Sequence, residues 1–266
     1  MKEHRSQQHS DSPRADGSAS GSARRQANAA HRPFAVFDID GTLIRWQLYH
    51  AVVDSLVKHK YISPEAFSAI KTARLDWKHR THAGSFKDYE LELVRLYDNL
   101  LTSLSVEQFE RAADDVFLEY KDQAYTYTRD LIAKLKKDGY LLFAISGSQT
   151  EVVAKIADYY GFDDFLGTVY ERIGDKFSGN KEVVAFHKDQ ALKSLVKKHR
   201  GDYKNSIAVG DSFSDAAMLE LVEQPIAFNP EHELFRYAKQ RGWKIVLERK
   251  NVVYELKVQD GSYVLA

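Results

Sequence analysis

From Pro33 onward, short apolar runs alternate with longer amphipathic stretches, and this alternation is the feature that most constrains the fold. Such a pattern is typical of a parallel sheet covered by helices, so the chain is predicted to be an α/β protein. The predicted strands are 34–37, 140–145, 206–209, 225–228 and 243–247. A short β excursion is expected over 165–177, where Gly167 and Gly174 favour turns.

One interval breaks the alternation. Residues 46–123 show only helical periodicity, in three apolar stripes, and a Ser105–Gln108 capping box precedes the third stripe. We therefore predict a helical segment inserted between the first and second strands, and residues 46–123 are named the cap. The predicted core comprises residues 33–45 and 124–250.

The two ends of the chain lie outside this core. Residues 1–32 contain no Val, Ile, Leu, Phe, Trp or Tyr, so they cannot offset the entropy cost of ordering and are predicted to form a disordered tail. A transit peptide or an anion-binding arm is the alternative for this segment. Residues 251–266 are predicted to form a C-terminal hairpin that turns at Asp260-Gly261, with a frayed tail as the alternative.

Composition excludes several classes of function. The chain has no cysteine, which excludes thiol nucleophiles, zinc ribbons and iron–sulfur clusters. Its 38 basic residues balance its 38 acidic residues, so no specific nucleic-acid partner is expected. The longest apolar run, Tyr140–Ile145, is far shorter than the roughly 18 to 20 residues of a membrane-spanning helix. We expect a cytoplasmic protein without a membrane partner, and its oligomeric state is left open.

The run Asp38–Thr42, with the sequence D-I-D-G-T, directly follows the first predicted strand. It places two carboxylates, Asp38 and Asp40, at the carboxyl end of a parallel strand, where α/β folds bind their ligands. Since Asp-Gly is also a common turn pair, a simple turn is the alternative for this run alone.

Three further places strengthen the functional interpretation. Ser146-Gly147 follows the second strand and precedes a helix, where a hydroxyl and backbone N–H groups form an anion site. Residues 210–215, G-D-S-F-S-D, follow another predicted strand, and Lys188 begins a helix between these two places. Taken singly, they also fit a loop serine, a helix cap and a surface lysine.

In this order, the four motifs resemble the haloacid dehalogenase (HAD) superfamily, and the resemblance covers nearly all of the chain after the tail. The similarity is greatest to its phosphoserine-phosphatase-like subfamily, HAD-IB. Met218-Leu219 and the runs 228–230 and 241–243 are similar to the same subfamily. The resemblance implies a Rossmann-like parallel-sheet core with an inserted helical cap of the C1 type.

The resemblance implies a role for each acid. In that family the first acid of the D-x-D pair attacks phosphorus, so Asp38 would become an aspartyl phosphate. Asp40 would protonate the leaving alkoxide and then deprotonate water, because a carboxyl group can both give and take a proton. Mg²⁺ is the implied cofactor, held by the carboxylates of Asp38 and Asp211 and by the backbone carbonyl of Asp40.

The same resemblance implies which residues would bind the substrate. Thr42, Ser146, Gly147 and Lys188 would bind the phosphoryl group and offset its charge. Asp215 would support the site by orienting Lys188 or a water on the metal.

The predicted function is Mg²⁺-dependent hydrolysis of a small-molecule phosphomonoester through an aspartyl phosphate. A phosphotransferase that uses the same intermediate and a noncatalytic phospholigand-binding protein are the alternatives. Phosphoserine phosphatases usually carry a glutamate nine residues after the nucleophile, whereas this chain has Gln47 there. Because the amide removes a charge partner for an ammonium group, phosphoserine is predicted to be a poor substrate.

Overall fold

The computed structural model of the chain describes residues 1, 31–79, 82, 84–250 and 252–266. The predicted tail therefore lies almost entirely outside the described residues. Strand β1 begins at Arg32, one residue before the predicted core. The Arg32 guanidinium donates to the carbonyls of Gly139 (2.8 Å) and Tyr140 (3.0 Å), which fixes this end of the strand.

The described strands form one nine-stranded sheet in the order β4-β3-β2-β1-β5-β6-β7-β8-β9. Strands β3, β2, β1, β5, β6 and β7 pair in parallel, and both edges are extended by antiparallel pairing. The strands are β1 (Arg32–Phe37), β2 (Leu141–Gln149), β3 (Asp164–Ile173), β4 (Lys176–Glu182), β5 (Gly201–Gly210), β6 (Gln224–Phe228), β7 (Lys244–Arg249), β8 (Val252–Gln259) and β9 (Ser262–Leu265). The α/β prediction with a parallel central sheet is confirmed.

Nine α-helices are described around this sheet. They are α1 (Leu48–Lys58), α2 (Pro64–Lys78), α3 (Ser85–Leu101), α4 (Val106–Tyr120), α5 (Thr126–Lys137), α6 (Thr150–Tyr160), α7 (Lys188–His199), α8 (Ala216–Leu219) and α9 (His232–Arg241). Helices α1 to α4 fall within residues 46–123, as the helical periodicity predicts. The division into core and cap domains stays a prediction. No helix among the described residues has the length and apolar character to span a bilayer.

Strand β1 is the centre of the core because both of its faces are covered. Ala35 and Phe37 face the layer that includes α1, α3 and α4, whereas Phe34 and Val36 face the layer that includes α7 and α9. This split follows the two-residue period of a β-strand. All four side chains are completely buried, which explains why the strand is a continuous apolar run.

The chain enters and leaves the cap through two paired segments. The backbone N–H of Arg45 donates to the carbonyl of Gln123 (2.9 Å), and that of Tyr125 donates to the carbonyl of Leu43 (2.9 Å). Glu248 on β7 is buried and forms an ion pair with Arg45. The two connections are therefore held against each other and against the sheet.

Local sequence patterns predict the start of α4 correctly but not the start of α6. Ser105 and Gln108 form the predicted capping box of α4. The S-x-x-E spacing of Ser148 and Glu151 also predicts a capping box, and this prediction is wrong, because α6 begins at Thr150 with Gln149 at its N-cap. The hydroxyl of Ser148 is instead bonded to Asp40, 108 residues away.

One other helix start differs from the sequence pattern. Asn229-Pro230 predicts a helix start, whereas α9 begins at His232, since Asn229 adopts a positive φ of 41°. In the C-terminal segment, β8 and β9 pair in antiparallel fashion and turn at Asp260 and Gly261. The predicted excursion over 165–177 corresponds to β3 and β4, and β3 is also a parallel neighbour of β2.

Candidate active site

The predicted site residues lie at the carboxyl ends of three neighbouring parallel strands. Asp38 follows β1, Ser146 lies near the end of β2, and Asp211 follows β5. Strand β1 pairs with β2 on one side and with β5 on the other, so the connections leave it in opposite directions. Such a switch point opens a crevice outside the strand ends, where α/β proteins bind ligands.

The turn after β1 is too tight for any residue but glycine at position 41. Gly41 has φ of +75°, and a Cβ atom there would lie 2.2 Å from Oδ2 of Asp211. The hydroxyl of Thr42 donates to Oδ1 of Asp211 at 3.3 Å. The turn thus brings its backbone against Asp211 and orients that carboxylate.

Lys188 neutralises part of the negative charge of the site. It is 2% exposed, and its Nζ donates to Oδ1 of Asp38 (2.7 Å) and to Oδ1 of Asp215 (2.5 Å). Burial alone would lower the pKa of this ammonium group, but the charges of Asp215 and Asp38 outweigh burial and hold its pKa above the usual value. Lys188 is therefore a permanent cation in the site.

Asp215 is fully buried and organises the loop after β5. Its Oδ2 accepts from the backbone N–H groups of Asp211 (3.1 Å) and Ser212 (3.0 Å), while its Oδ1 accepts from Lys188. Gly210 is required beside it, because a Cβ atom there would lie 2.5 Å from Asp215. Both carboxylate oxygens of Asp215 are thus occupied by protein donors.

Three carboxylates share this small space. Oxygen atoms of Asp38, Asp211 and Asp215 all lie within 4.8 Å of one another. Burial raises the pKa of Asp38 to about 8, against the opposing effect of Lys188. Burial, together with repulsion from Asp38 and Asp215, also raises the pKa of Asp211 well above its usual value. The site therefore has excess negative charge and hard oxygen donors, a combination that suits a divalent cation such as Mg²⁺.

Asp40 has a different environment from these three acids. Its Oδ1 accepts from the backbone N–H of Leu48 (2.6 Å) and the hydroxyl of Ser148 (3.0 Å), and its Oδ2 accepts from the hydroxyl of Ser146 (2.7 Å). Burial raises the pKa of Asp40, although these hydrogen bonds oppose the shift. A carboxyl group that is held rigidly and has a raised pKa is suited to proton transfer.

Gly147 lies near the end of β2, where this strand meets the cap. Its carbonyl accepts from the hydroxyls of Tyr49 (3.1 Å) and Thr168 (2.6 Å). A Cβ atom at Gly147 would approach that of Ala185 to 3.2 Å, so the segment before Lys188 packs closely over this end of the strand. The end of β2 is therefore held from both sides.

All eight predicted site residues lie at this edge of the sheet. One hydrogen-bonded series joins Asp38, Lys188, Asp215, Asp211 and Thr42. A second group joins Asp40 to Ser146, which is followed by Gly147. The geometry brings the residues together, and their chemical roles are taken up as a proposal below.

Sequence reasoning missed three contributors to the site. The sequence pattern favours a helix cap for Ser148, and it places Tyr49 and Tyr97 only in the first and second apolar stripes of the cap. Tyr97 is buried and donates to Oε1 of Gln149 at 2.5 Å, while Tyr49 reaches Gly147. The S-G-S run at the end of β2 could have indicated Ser148, but no local spacing identifies the two tyrosines.

A cavity of about 710 Å³ lies at the opposite edge of the sheet, near the amino ends of β6 and β7. Its lining includes Tyr127, Pro225 and Trp243. None of the predicted site residues lines it. The cluster of buried charged side chains, and not this cavity, therefore identifies the candidate active site.

Residues 35–220 match the family model described as haloacid dehalogenase-like hydrolase, which confirms the resemblance inferred from the four motifs. A phosphoserine phosphatase of Mycobacterium tuberculosis is 32% identical over 127 residues, which cover 47% of this chain and 41% of that protein. The chain spans about half of the length of the mycobacterial relatives it matches.

Two other similarities extend over most of the chain. A histidinol-phosphatase of Neisseria meningitidis is 24% identical over 220 residues, which cover 80% of this chain and 97% of that protein. A phosphoserine phosphatase solved as an analogue of its phospho-aspartyl intermediate aligns with a TM-score of 0.59 and 20% identity, covering 83% of this chain and 95% of that chain. At that identity the solved structure supports the fold alone.

Proposed function

Because the chain belongs to the haloacid dehalogenase-like hydrolases, we propose that it hydrolyses a small-molecule phosphomonoester through an aspartyl phosphate on Asp38. One observation carries this proposal: two carboxylates two residues apart lie in different environments. Asp38 contacts Lys188 and belongs to the acidic cluster, whereas Asp40 is held apart by Leu48 and two serines. This difference fits a nucleophile beside a proton carrier.

In the first step, a carboxylate oxygen of Asp38 forms a bond to phosphorus while the bond from phosphorus to the ester oxygen breaks. The carboxyl group of Asp40 gives its proton to the departing alkoxide. In the second step, Asp40 takes a proton from a water molecule whose oxygen attacks phosphorus. The bond between phosphorus and Asp38 then breaks, which releases inorganic phosphate and restores both carboxyl groups.

The remaining residues would bind and position the phosphoryl group. Ser146 and Lys188 are the donors we assign to its oxygens, with backbone N–H groups around Gly147 contributing. The hydroxyl of Thr42 is directed at Asp211, so we assign Thr42 to positioning that acid.

The acidic cluster fits Mg²⁺, which would offset the charge of the phosphoryl group when bound. We propose that the carboxylates of Asp38 and Asp211 and the backbone carbonyl of Asp40 hold it. Asp215 is proposed as a supporting residue rather than a ligand, since both of its oxygens are occupied by protein donors.

The test is a screen of the purified protein against a panel of phosphomonoesters, with Mg²⁺ and with a chelator. Phosphate release that requires Mg²⁺ would support the proposal. Transfer of the phosphoryl group to an added alcohol such as glycerol would favour a phosphotransferase. Saturable binding of phosphate esters without any release would favour a phospholigand-binding protein. The cytoplasmic location stays a prediction.

A further inference from the structure

Helix α3 of the cap lies across the start of α1. It is next to the edge of the sheet that carries Asp38 and Asp40, which is named the catalytic edge. The ring of Tyr89 lies 4.9 Å from that of His50, and the ring of Tyr97 lies 4.8 Å from that of Tyr49. His50 and Tyr49 belong to the first turn of α1, directly after Leu48, whose backbone N–H is bonded to Asp40. The two aromatic contacts therefore fix α3 close to the proposed proton carrier.

Glu90 shares a face of α3 with Tyr97. Residues seven apart on a helix lie on the same side, two turns and about 10.5 Å from each other. The hydroxyl of Tyr97 reaches Gln149, at the end of β2 and three residues after Ser146. The face that carries Glu90 is thus directed at the catalytic edge of the sheet.

The electrostatic effect of neighbouring charged residues on the Glu90 carboxyl agrees with a position close to the catalytic edge. Its surface is accessible to solvent, but the surrounding protein and repulsion from Asp40 and Glu231 raise the pKa of its carboxyl to about 7, while Lys188 opposes the shift. Glu231 lies at the rim of the loop after β5, because its carboxylate accepts from the backbone N–H of Phe213 at 2.7 Å. The space above the site is therefore flanked by an acid from the cap and an acid from the core.

The neighbouring cation on α2 does not offset this negative charge. The Arg74 guanidinium makes two hydrogen bonds to Asp54, at 3.1 and 3.3 Å, and a longer one to the hydroxyl of Tyr89. A substrate with a positive group would be attracted to this space, and a substrate with a carboxylate beyond its phosphate would be repelled.

We propose that Glu90 is a specificity-determining residue that binds a cationic group of the substrate, and that the substrate class is a phosphate ester of an amino alcohol without a carboxylate. The phosphate of such a molecule would lie against Lys188 and Ser146, and its ammonium group would lie against the cap. This assignment rests on the proposed phosphatase function, and it names the substrate class of that site.

The test compares ω-aminoalkyl phosphates with ω-hydroxyalkyl phosphates of the same length, from two to five carbons. At pH 8, where the carboxylate of Glu90 is ionised, the wild type should favour the amino ester of the best length at least tenfold in kcat/KM. In Glu90→Gln, the ratio of the two kcat/KM values should fall at least tenfold. Phosphoserine should remain a poor substrate of the wild type.

The matched control is Glu92→Gln, on the same helix, where Glu92 is paired with Arg95. This variant should keep both the ratio and the rates of the wild type. A wild type without preference for the amino ester, or an equal loss for both esters in Glu90→Gln, would overturn the assignment. A changed Mg²⁺ dependence with an unchanged ester ratio would overturn it as well.

Binding of the corresponding ω-aminoalkyl and ω-hydroxyalkyl phosphonates, measured by calorimetry, separates this assignment from the proposed function. These compounds cannot be hydrolysed. If no ester is turned over but Glu90→Gln selectively weakens the aminoalkyl phosphonate, the proposed function is wrong and the role of Glu90 stands. If hydrolysis occurs but the two phosphonates bind with equal affinity to wild type and variant, the role of Glu90 is wrong and the proposed function stands.

Discussion

The catalytic edge of the sheet and the facing helices of the cap are built in different ways. At the sheet edge, Asp38, Asp40 and Asp215 each accept hydrogen bonds from other residues of the site, namely Lys188, Ser146 and the backbone N–H of Asp211. The cap faces this edge mainly with aromatic rings, and Tyr49 and Tyr97 each donate one hydroxyl hydrogen bond to the end of β2. Tight polar bonding suits a fixed chemical step, whereas a mostly apolar face with few polar groups suits the selection of one ligand among many.

This contrast predicts that changes at the sheet edge remove activity and that changes on the cap alter selectivity. The largest effect is expected for Asp38→Asn. The amide has nearly the same shape but is a poor nucleophile, so phosphate release should fall on the order of a thousandfold or more. Steady-state kinetics on the best ester, with folding checked by circular dichroism, would show this. Activity within tenfold of the wild type would contradict the role of Asp38.

Asp211→Asn should weaken the metal site before it alters the fold. The loss of one anionic ligand should raise the Mg²⁺ concentration for half-maximal activity at least about tenfold. Asp202→Asn is the matched control, because Asp202 lies at the opposite end of β5, the strand that Asp211 directly follows. If the Mg²⁺ titrations of both variants match the wild type, Asp211 is not a ligand.

The stability of the metal-free protein should decrease as the pH rises from about 5 to 8. The folded state keeps a proton on Asp38, whose pKa is raised from 3.8 to about 8, and this proton is lost as the pH rises through that value. Asp211 shifts in the same direction. Mg²⁺ should therefore increase Tm more at pH 8 than at pH 5, which a thermal-shift series can measure. An equal Mg²⁺ effect at both pH values would contradict the charge repulsion described for the site.

The smallest effect is expected for Gln47→Glu. Gln47 is the half-buried N-cap residue of α1, directly before the Leu48 N–H that binds Asp40. A carboxylate there would give an ammonium group a charged partner, so kcat/KM for phosphoserine should rise a few-fold relative to ethyl phosphate. A hydrogen bond to an ion is about twice as strong as a neutral one. If the wild type already favours phosphoserine strongly, another residue recognises its amino group.

The sheet edge was the more predictable of the two regions. Asp38 and Asp211 each follow a strand and Ser146 lies near the end of one, and the carboxyl ends of neighbouring parallel strands lie at the same edge of a sheet. The glycines at 41 and 210 have a comparable local cause, because each allows the backbone to approach an aspartate closely. Strand position and residue type are therefore enough to assemble this region from the sequence.

The cap side could not be predicted in the same way. Tyr97 and Gln149 are 52 residues apart, so their contact depends on how a whole helix packs against the sheet. Helical periodicity identifies which side of α3 is apolar, but it does not show that Glu90 faces the site. The error at Ser148 lies at the sheet edge instead, where its hydroxyl donates to Asp40, 108 residues away, and does not cap α6.

The paired segments around Arg45 and Tyr125 mark a place where the inserted helices could be replaced without disturbing the sheet. Because the chain leaves the core and returns to it side by side, the ends of the inserted helices are already joined by backbone hydrogen bonds. The length of chain between these ends then has little effect on the geometry of the strands, and closing a longer or shorter loop costs little additional entropy. Another helical segment could be grafted between residues 45 and 123 while Asp38 and Asp40 keep their places, so recognition can diversify while the chemistry is retained.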